Sequence, residues 1–85
     1  MTILLVDDHD LLRENIAEFL RSIGYDVIEA KNGKEALQIV KQAVVPIEVV
    51  VSDLDMPEID GITMWGQMKP MVPPSCKVIF IFRKP

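Results

Sequence analysis

The sequence predicts an α/β fold, an open parallel sheet of about four strands with helices on both faces. Two observations predict it. Short apolar runs alternate with stretches of helical periodicity in the order βαβαβαβ, which implies right-handed crossovers and parallel strands. Two of the runs, Ile3-Leu4-Leu5-Val6 and Val49-Val50-Val51-Ser52, end in carboxylates: Asp7-Asp8 after the first and Asp53 after the second. Strands that lie parallel and adjacent bring such ends together, where open α/β sheets place their ligand sites.

Each element has its own local reason. After the first strand, Leu12, Ile16, Phe19, Leu20 and Ile23 recur at helical spacing, with Arg13, Glu14, Glu18 and Arg21 on the other side. Gly24 stands where a helix stop is expected. Val27-Ile28-Glu29-Ala30 forms the second strand. Asn32 then caps the second helix, and Glu35, three residues on, is placed to complete a capping box. Ala36, Leu37, Val40 and Val44 make the inner face of that helix, and Pro46 stops it. The third strand runs from 49 to 52. Polar residues with Pro57 and Gly61 mark 53–61 as a loop. Ile62, Trp65 and Met68 give a short third helix its inner face, ended by Pro70. Pro73-Pro74 makes a stiff turn into the fourth strand, 77–82.

Composition narrows the function classes. The 85 residues make one small domain, 49% hydrophobic and 26% charged, and so globular rather than disordered. A net charge of −4 with scattered basic residues argues against nucleic-acid binding, because no basic stripe is available to displace phosphate counterions. One cysteine, Cys76, forms no internal disulfide and suits a reducing compartment. The first residues lack a basic segment, and Asp7 cuts their apolar run short, so they do not form a signal peptide. No apolar stretch approaches the ~20 residues of a membrane span. The expected location is the cytoplasm.

The chemistry centres on a pocket of three carboxylates, Asp7, Asp8 and Asp53. Such crowding is electrostatically unfavourable unless a cation or a proton is shared. Alone, Asp7-Asp8 reads equally as helix capping and Asp53 as a turn residue. Their joint placement on neighbouring strands is what points to a site. Met56-Pro57 and Asp60-Gly61 read as loop-shaping residues, Gly61 by permitting a tight approach or a special dihedral. His9 reads as a solvated residue at a helix start, Trp65 as a packing residue, Cys76 as a small residue in a turn, and the methionines as core filler.

Val6-Asp7-Asp8, then Asp53 followed by Met56-Pro57 and Asp60-Gly61, resembles the receiver domain of two-component response regulators. The resemblance runs from residue 2 to about 82 and implies a flavodoxin-like sheet of order 2-1-3-4-5. By that resemblance, Asp53 is the aspartate that accepts a phosphoryl group from a sensor histidine kinase or a phosphotransfer protein. Asp8 is the main acidic Mg²⁺ ligand, Asp7 assists, and Asp55 offers its backbone carbonyl. The chain is then a phosphoacceptor, at most a slow autophosphatase, rather than a dedicated enzyme. Physical chemistry agrees with these roles. Mg²⁺ favours one or two carboxylates with waters and phosphate oxygens, and phosphoryl transfer needs an in-line nucleophile beside positive charge.

The resemblance also has limits. The family usually continues through another helix, a fifth strand and a fifth helix. It carries a Ser or Thr at the end of the fourth strand and a Lys, commonly before Pro, at the end of the fifth. Here Phe82 stands at the aligned hydroxyl position, while Lys84-Pro85 resembles the fifth-strand Lys-Pro. Residues 1–85 therefore read either as a domain cut after strand four or as one with an internal deletion that retains Lys84 as a phosphate contact. Without the hydroxyl, a rival reading is a pseudo-receiver, a protein-binding or dimerisation module lacking a working phospho-switch. The continuous apolar run 78–82 fits a strand buried on both faces, yet nothing after it would cover its edge. A homodimer through the strand-four edge is the expectation.

Overall fold

The computed structural model describes residues 1–82. Its elements are β1 (Thr2–Val6), α1 (Asp10–Ser22), β2 (Asp26–Ala30), α2 (Gly33–Gln42), β3 (Val49–Asp53), α3 (Gly61–Met68) with a 3₁₀ turn at Lys69–Met71, and β4 (Lys77–Ile81). The strands form one four-stranded sheet, all parallel, in the order β2-β1-β3-β4. Ile3 pairs with both Val27 and Val49, and Val6 with Ala30 and Ser52, so β1 is central and its end lies level with the end of β3. This order matches the first four places of the expected 2-1-3-4-5.

Successive strand residues point to opposite faces, and the helices divide accordingly. On one face α2 and α3 bury Ala36, Val40, Met64 and Met68 against Leu4, Val6, Val50 and Ile47. On the other, α1 sets Ala17 against Leu5 and Val27, with Ile16, Leu20 and Val51 packed at the margin. Ala17 and Ala36 let α1 and α2 lie close to the sheet, while α3 fills its contact with the longer Met64 and Met68.

The inner faces differ in part from expectation. Phe19 and Ile23 are exposed, and Ala17 takes the central place in α1, because a methyl allows closer approach than a ring. Val44 lies beyond the end of α2 and is fully open to solvent. In α3 the buried residues are Gly61, Met64 and Met68, while Ile62 faces out. As expected, α3 ends just before Pro70: Met68 is its last residue and Lys69 its C-cap, and Pro70 sits within the 3₁₀ turn, where its missing N–H costs no α-helical bond. Cys76 closes a turn, its N–H donating to the Pro73 carbonyl at 2.9 Å, but its side chain belongs to the core, and burial pushes its thiol pKa up.

The expected caps are present with one displacement. The Asn32 side chain accepts from the Glu35 N–H at 2.7 Å, whereas Glu35 accepts from the Lys31 N–H at 3.0 Å rather than from that of Asn32. Gly24 ends α1 with φ +102°, a left-handed conformation that glycine adopts without a side-chain clash. The Gly24 N–H donates to the Arg21 carbonyl and the Tyr25 N–H to the Leu20 carbonyl, both at 3.1 Å, a paired closure that satisfies two terminal carbonyls.

β4 corrects the expectation of a strand buried on both faces. Among the described residues it pairs only with β3, Ile79 is 54% exposed, and Phe82 just beyond it is 66% exposed. Val78 packs on the α2/α3 core, but on the α1 side the sheet beyond Val51 is uncovered among the described residues.

Candidate functional site

The level ends of β1 and β3 bring Asp7, Asp8 and Asp53 together: one carboxylate oxygen from each lies within 4.8 Å of the others. Asp7 and Asp53 are buried and Asp8 is exposed, so the cluster opens to solvent on one side. Three hard oxygen donors at this spacing suit a hard, oxygen-seeking divalent cation.

The backbone around each carboxylate is fixed. The Asp7 N–H donates to the Ala30 carbonyl at 3.1 Å, extending the β1–β2 ladder one residue past the strand. Asp7 Oδ1 accepts from the His9 N–H at 2.8 Å, which turns the chain toward α1. His9 is the N-cap of that helix, its Nδ1 accepting from the Leu12 N–H at 3.3 Å. This agrees with reading His9 as a solvated residue at a helix start. The capping role considered for Asp7-Asp8 falls to His9 instead.

At the other carboxylate, Asp53 Oδ1 accepts from the Asp55 N–H at 3.3 Å, which brings the Asp55 backbone beside the cluster while its side chain stays exposed. The loop then returns on itself. The Ile59 N–H donates to the Pro57 carbonyl at 2.8 Å around Glu58, whose φ is 70°. A three-residue turn with positive φ at its centre is the rarer, strained form of the γ-turn. Gly61 follows, its N–H donating to the Leu54 carbonyl at 2.9 Å, and a Cβ at this position would run into the Asp53 carbonyl oxygen. The glycine is thus needed for close approach, the first of the two uses expected of it. Asp60 caps α3, accepting from the Thr63 N–H at 2.8 Å and the Thr63 hydroxyl at 3.0 Å. Those bonds hold its carboxyl below the ordinary value of 3.8.

One participant was not foreseen. Arg13, in the second turn of α1, turns its guanidinium back to the strand end, where Nη1 donates to the Asp7 carbonyl at 2.9 Å and to Asp10 Oδ1 at 2.9 Å. Its Nε donates to Glu29 Oε1 at 3.3 Å, and Glu29 also receives Arg21. Burial alone would lower the Arg13 pKa, but the hydrogen bonds and charges of Asp10 and Glu29 outweigh it and raise the value. Periodicity had placed Arg13 only on the polar side of a helix, and no spacing rule ties such a residue to the preceding strand.

Lys84, the candidate phosphate contact, lies outside the described residues. Phe82, at the aligned hydroxyl position, is exposed just past β4.

Comparison with known proteins identifies the family of this fold. Residues 3–84 match the family described as the response regulator receiver domain. The sensor kinase CckA of Brucella abortus is 41% identical over 80 residues, a match covering 94% of this chain and 8% of that protein. The chain spans only a small part of the length of the curated relatives it matches. Among solved structures, the receiver domain of the hybrid histidine kinase CckA superposes with a TM-score of 0.89 at 32% identity, covering 100% of this chain and 87% of that one. The response regulator TrrA of Thermotoga maritima, solved in complex with Mg²⁺ and BeF, gives a TM-score of 0.84 at 32% identity, covering 95% and 68% respectively.

Proposed function

Because the chain belongs to the response regulator receiver domain family, we propose that it is a phosphoacceptor module of a two-component system. Asp53 takes a phosphoryl group from a sensor histidine kinase or phosphotransfer protein, and the module signals through altered protein contacts in the cytoplasm. The observation that carries this reading is the gathering of Asp7, Asp8 and Asp53 oxygens within 4.8 Å at the ends of adjacent strands. Asp7, Asp8, Asp53 and the Asp55 carbonyl would hold Mg²⁺, a donor set of the hard oxygens this ion prefers. When bound, the ion neutralises charge on the equatorial oxygens of the phosphoryl group in flight.

The chain's own residues position the nucleophile. An Asp53 oxygen attacks phosphorus in line, the P–N bond of the phosphohistidine breaks, and its electron pair returns to the imidazole nitrogen. The Asp55 N–H on Oδ1 orients the carboxylate, and the burial of Asp53 limits competing water. Lys84 is the candidate contact for the phosphoryl oxygens. Phe82 offers no hydroxyl, so the family's usual hydroxyl-coupled switch would not operate in its ordinary form.

Exposure of Ile79 and Phe82 beside an edge strand supports a homodimer through β4, since an uncovered apolar edge is open to pairing with another chain. Light scattering at high concentration should find a dimer that Ile79→Asp weakens; a monodisperse monomer would overturn the assembly.

The phosphoacceptor reading is tested by incubation with acetyl phosphate, with and without Mg²⁺, followed by intact mass. The expected result is an Mg²⁺-dependent phosphoryl adduct that Asp53→Asn abolishes. Absence of any adduct, with no Mg²⁺-induced amide shifts, would leave a protein-binding pseudo-receiver in its place.

A further inference from the structure

We infer that Arg13 is a positioning residue for the cation pocket: it holds the Asp7 peptide so that the Asp7 and Asp8 carboxylates stay aimed at Asp53. The inference rests on the phosphoacceptor reading and adds a residue to its machinery. The Asp7 backbone has ties on both sides. Its N–H is held by the Ala30 carbonyl at 3.1 Å and its carbonyl by Arg13 Nη1 at 2.9 Å. The first tie is a continuation of the strand ladder. The second depends on one side chain reaching back from a helix.

Arg13 is itself braced. Its side chain is 12% exposed, and Nε is fixed on Glu29, which sits in β2 and is held in turn by Arg21 Nη1 at 3.2 Å. Arg21 Nη2 then donates to the Val27 carbonyl at 2.8 Å. A continuous polar chain therefore runs from the β2 backbone through Arg21, Glu29 and Arg13 to the peptide that carries the metal-site carboxylates. A planar guanidinium can hold several acceptors in fixed directions, which a lysine ammonium does not.

Two opposing effects follow from removing Arg13. Losing a cation close to the pocket would strengthen binding of another cation, whereas losing the brace would weaken it. Groups that orient metal ligands without touching the metal commonly contribute about 10–100-fold in affinity. Arg13 is paired with Asp10 and Glu29, whose carboxylates offset its charge toward the pocket, so the brace decides the sign. Mg²⁺ demands near-ideal octahedral geometry while Ca²⁺ tolerates irregular sites. Loosening the Asp7–Asp8 peptide therefore costs Mg²⁺ more than Ca²⁺.

The test is titration of the full chain with Mg²⁺ and with Ca²⁺, followed by amide shifts of residues 7–9 and 53–55. Arg13→Ala and Arg13→Lys should each weaken Mg²⁺ by about tenfold or more and Ca²⁺ by less. Arg21→Ala removes the far end of the same polar chain, one step away from Arg13 and without touching Asp7, and should weaken Mg²⁺ by clearly less than the Arg13 variants do. If Arg13→Ala does not fold, Arg13→Lys and Glu29→Gln carry the same comparison. Unchanged or tighter Mg²⁺ binding in the Arg13 variants, an equal loss for both ions, or an equal effect of Arg21→Ala would overturn the role of Arg13. A wild-type chain that binds no Mg²⁺ and forms no adduct would instead overturn the phosphoacceptor reading itself.

Discussion

Beneath α2 and α3 the sheet is sealed: Leu4, Val6, Val50, Met64 and Met68 are fully buried in one continuous core. On the opposite face α1 shelters Leu5, Val27 and part of Val51, and among the described residues nothing covers the sheet beyond them, so Ile79 is half open to solvent. The same alternating strands supply both faces, so the difference lies in which helices are present to meet them. The sealed face also contacts the chemistry, since the start of α3 presses on the Asp53 carbonyl. The open face meets it only through polar reach from α1. Among the described residues, the pocket thus rests on one well-packed layer and one partly covered layer.

Truncations matched across the sheet should separate the faces most strongly. Leu4→Ala empties a sealed site and should cost about 2–5 kcal/mol. Ile79→Ala removes a side chain that is already half hydrated and should cost less than about 1.5 kcal/mol. Urea denaturation of both variants decides, and equal losses would mean that the open face is covered in solution.

A smaller effect is expected where the sealed face meets the pocket. Gly61→Ala forces α3 away from the Asp53 carbonyl, an overpacking cost of about 1–3 kcal/mol. It should also slow acetyl phosphate labelling, because the strand end moves with it. A variant as stable and as reactive as the parent would show that the contact is not tight.

The smallest effect concerns the cap of α3. Asp60 is held below the ordinary carboxylate value of 3.8 by the Thr63 N–H and hydroxyl. A carboxyl with a depressed folded value stabilises the fold at pH above its unfolded value and loses that contribution as pH falls through the folded value. Asp60→Asn should therefore be slightly less stable than the parent at neutral pH and show a shallower decline below about pH 4 in acid unfolding.

The strands were legible almost to the residue, because short apolar runs bounded by Gly, Pro and Asp leave few alternatives. The helix faces were less so. Phe19 and Ile62 fit an apolar stripe, but Ala17 and Gly61 made the contacts, since close packing rewards small residues that hydropathy barely registers. The carboxylate cluster was legible because parallel pairing forces strand ends together. Arg13 was not, because its partner is a backbone carbonyl, which leaves no mark in a sequence. The turn at Glu58 was equally silent, its positive φ being set by Pro57 before it and by the return of the chain to Leu54 after it.

The pairing of β1 with β3 has a kinetic side. Ile3 aligns with Val49 and Val6 with Ser52, so joining these strands closes a loop that contains α1, β2 and α2. Loop-closure entropy must be met before such a distant contact is rewarded. The same event carries Asp7 and Asp8 up to Asp53, so their mutual repulsion rises on the slow, non-local step. A divalent ion that relieves the repulsion then speeds folding if the pairing is formed in the transition state, and slows unfolding if it forms later. Chevron arms recorded with and without Mg²⁺ thus time the assembly of the pocket.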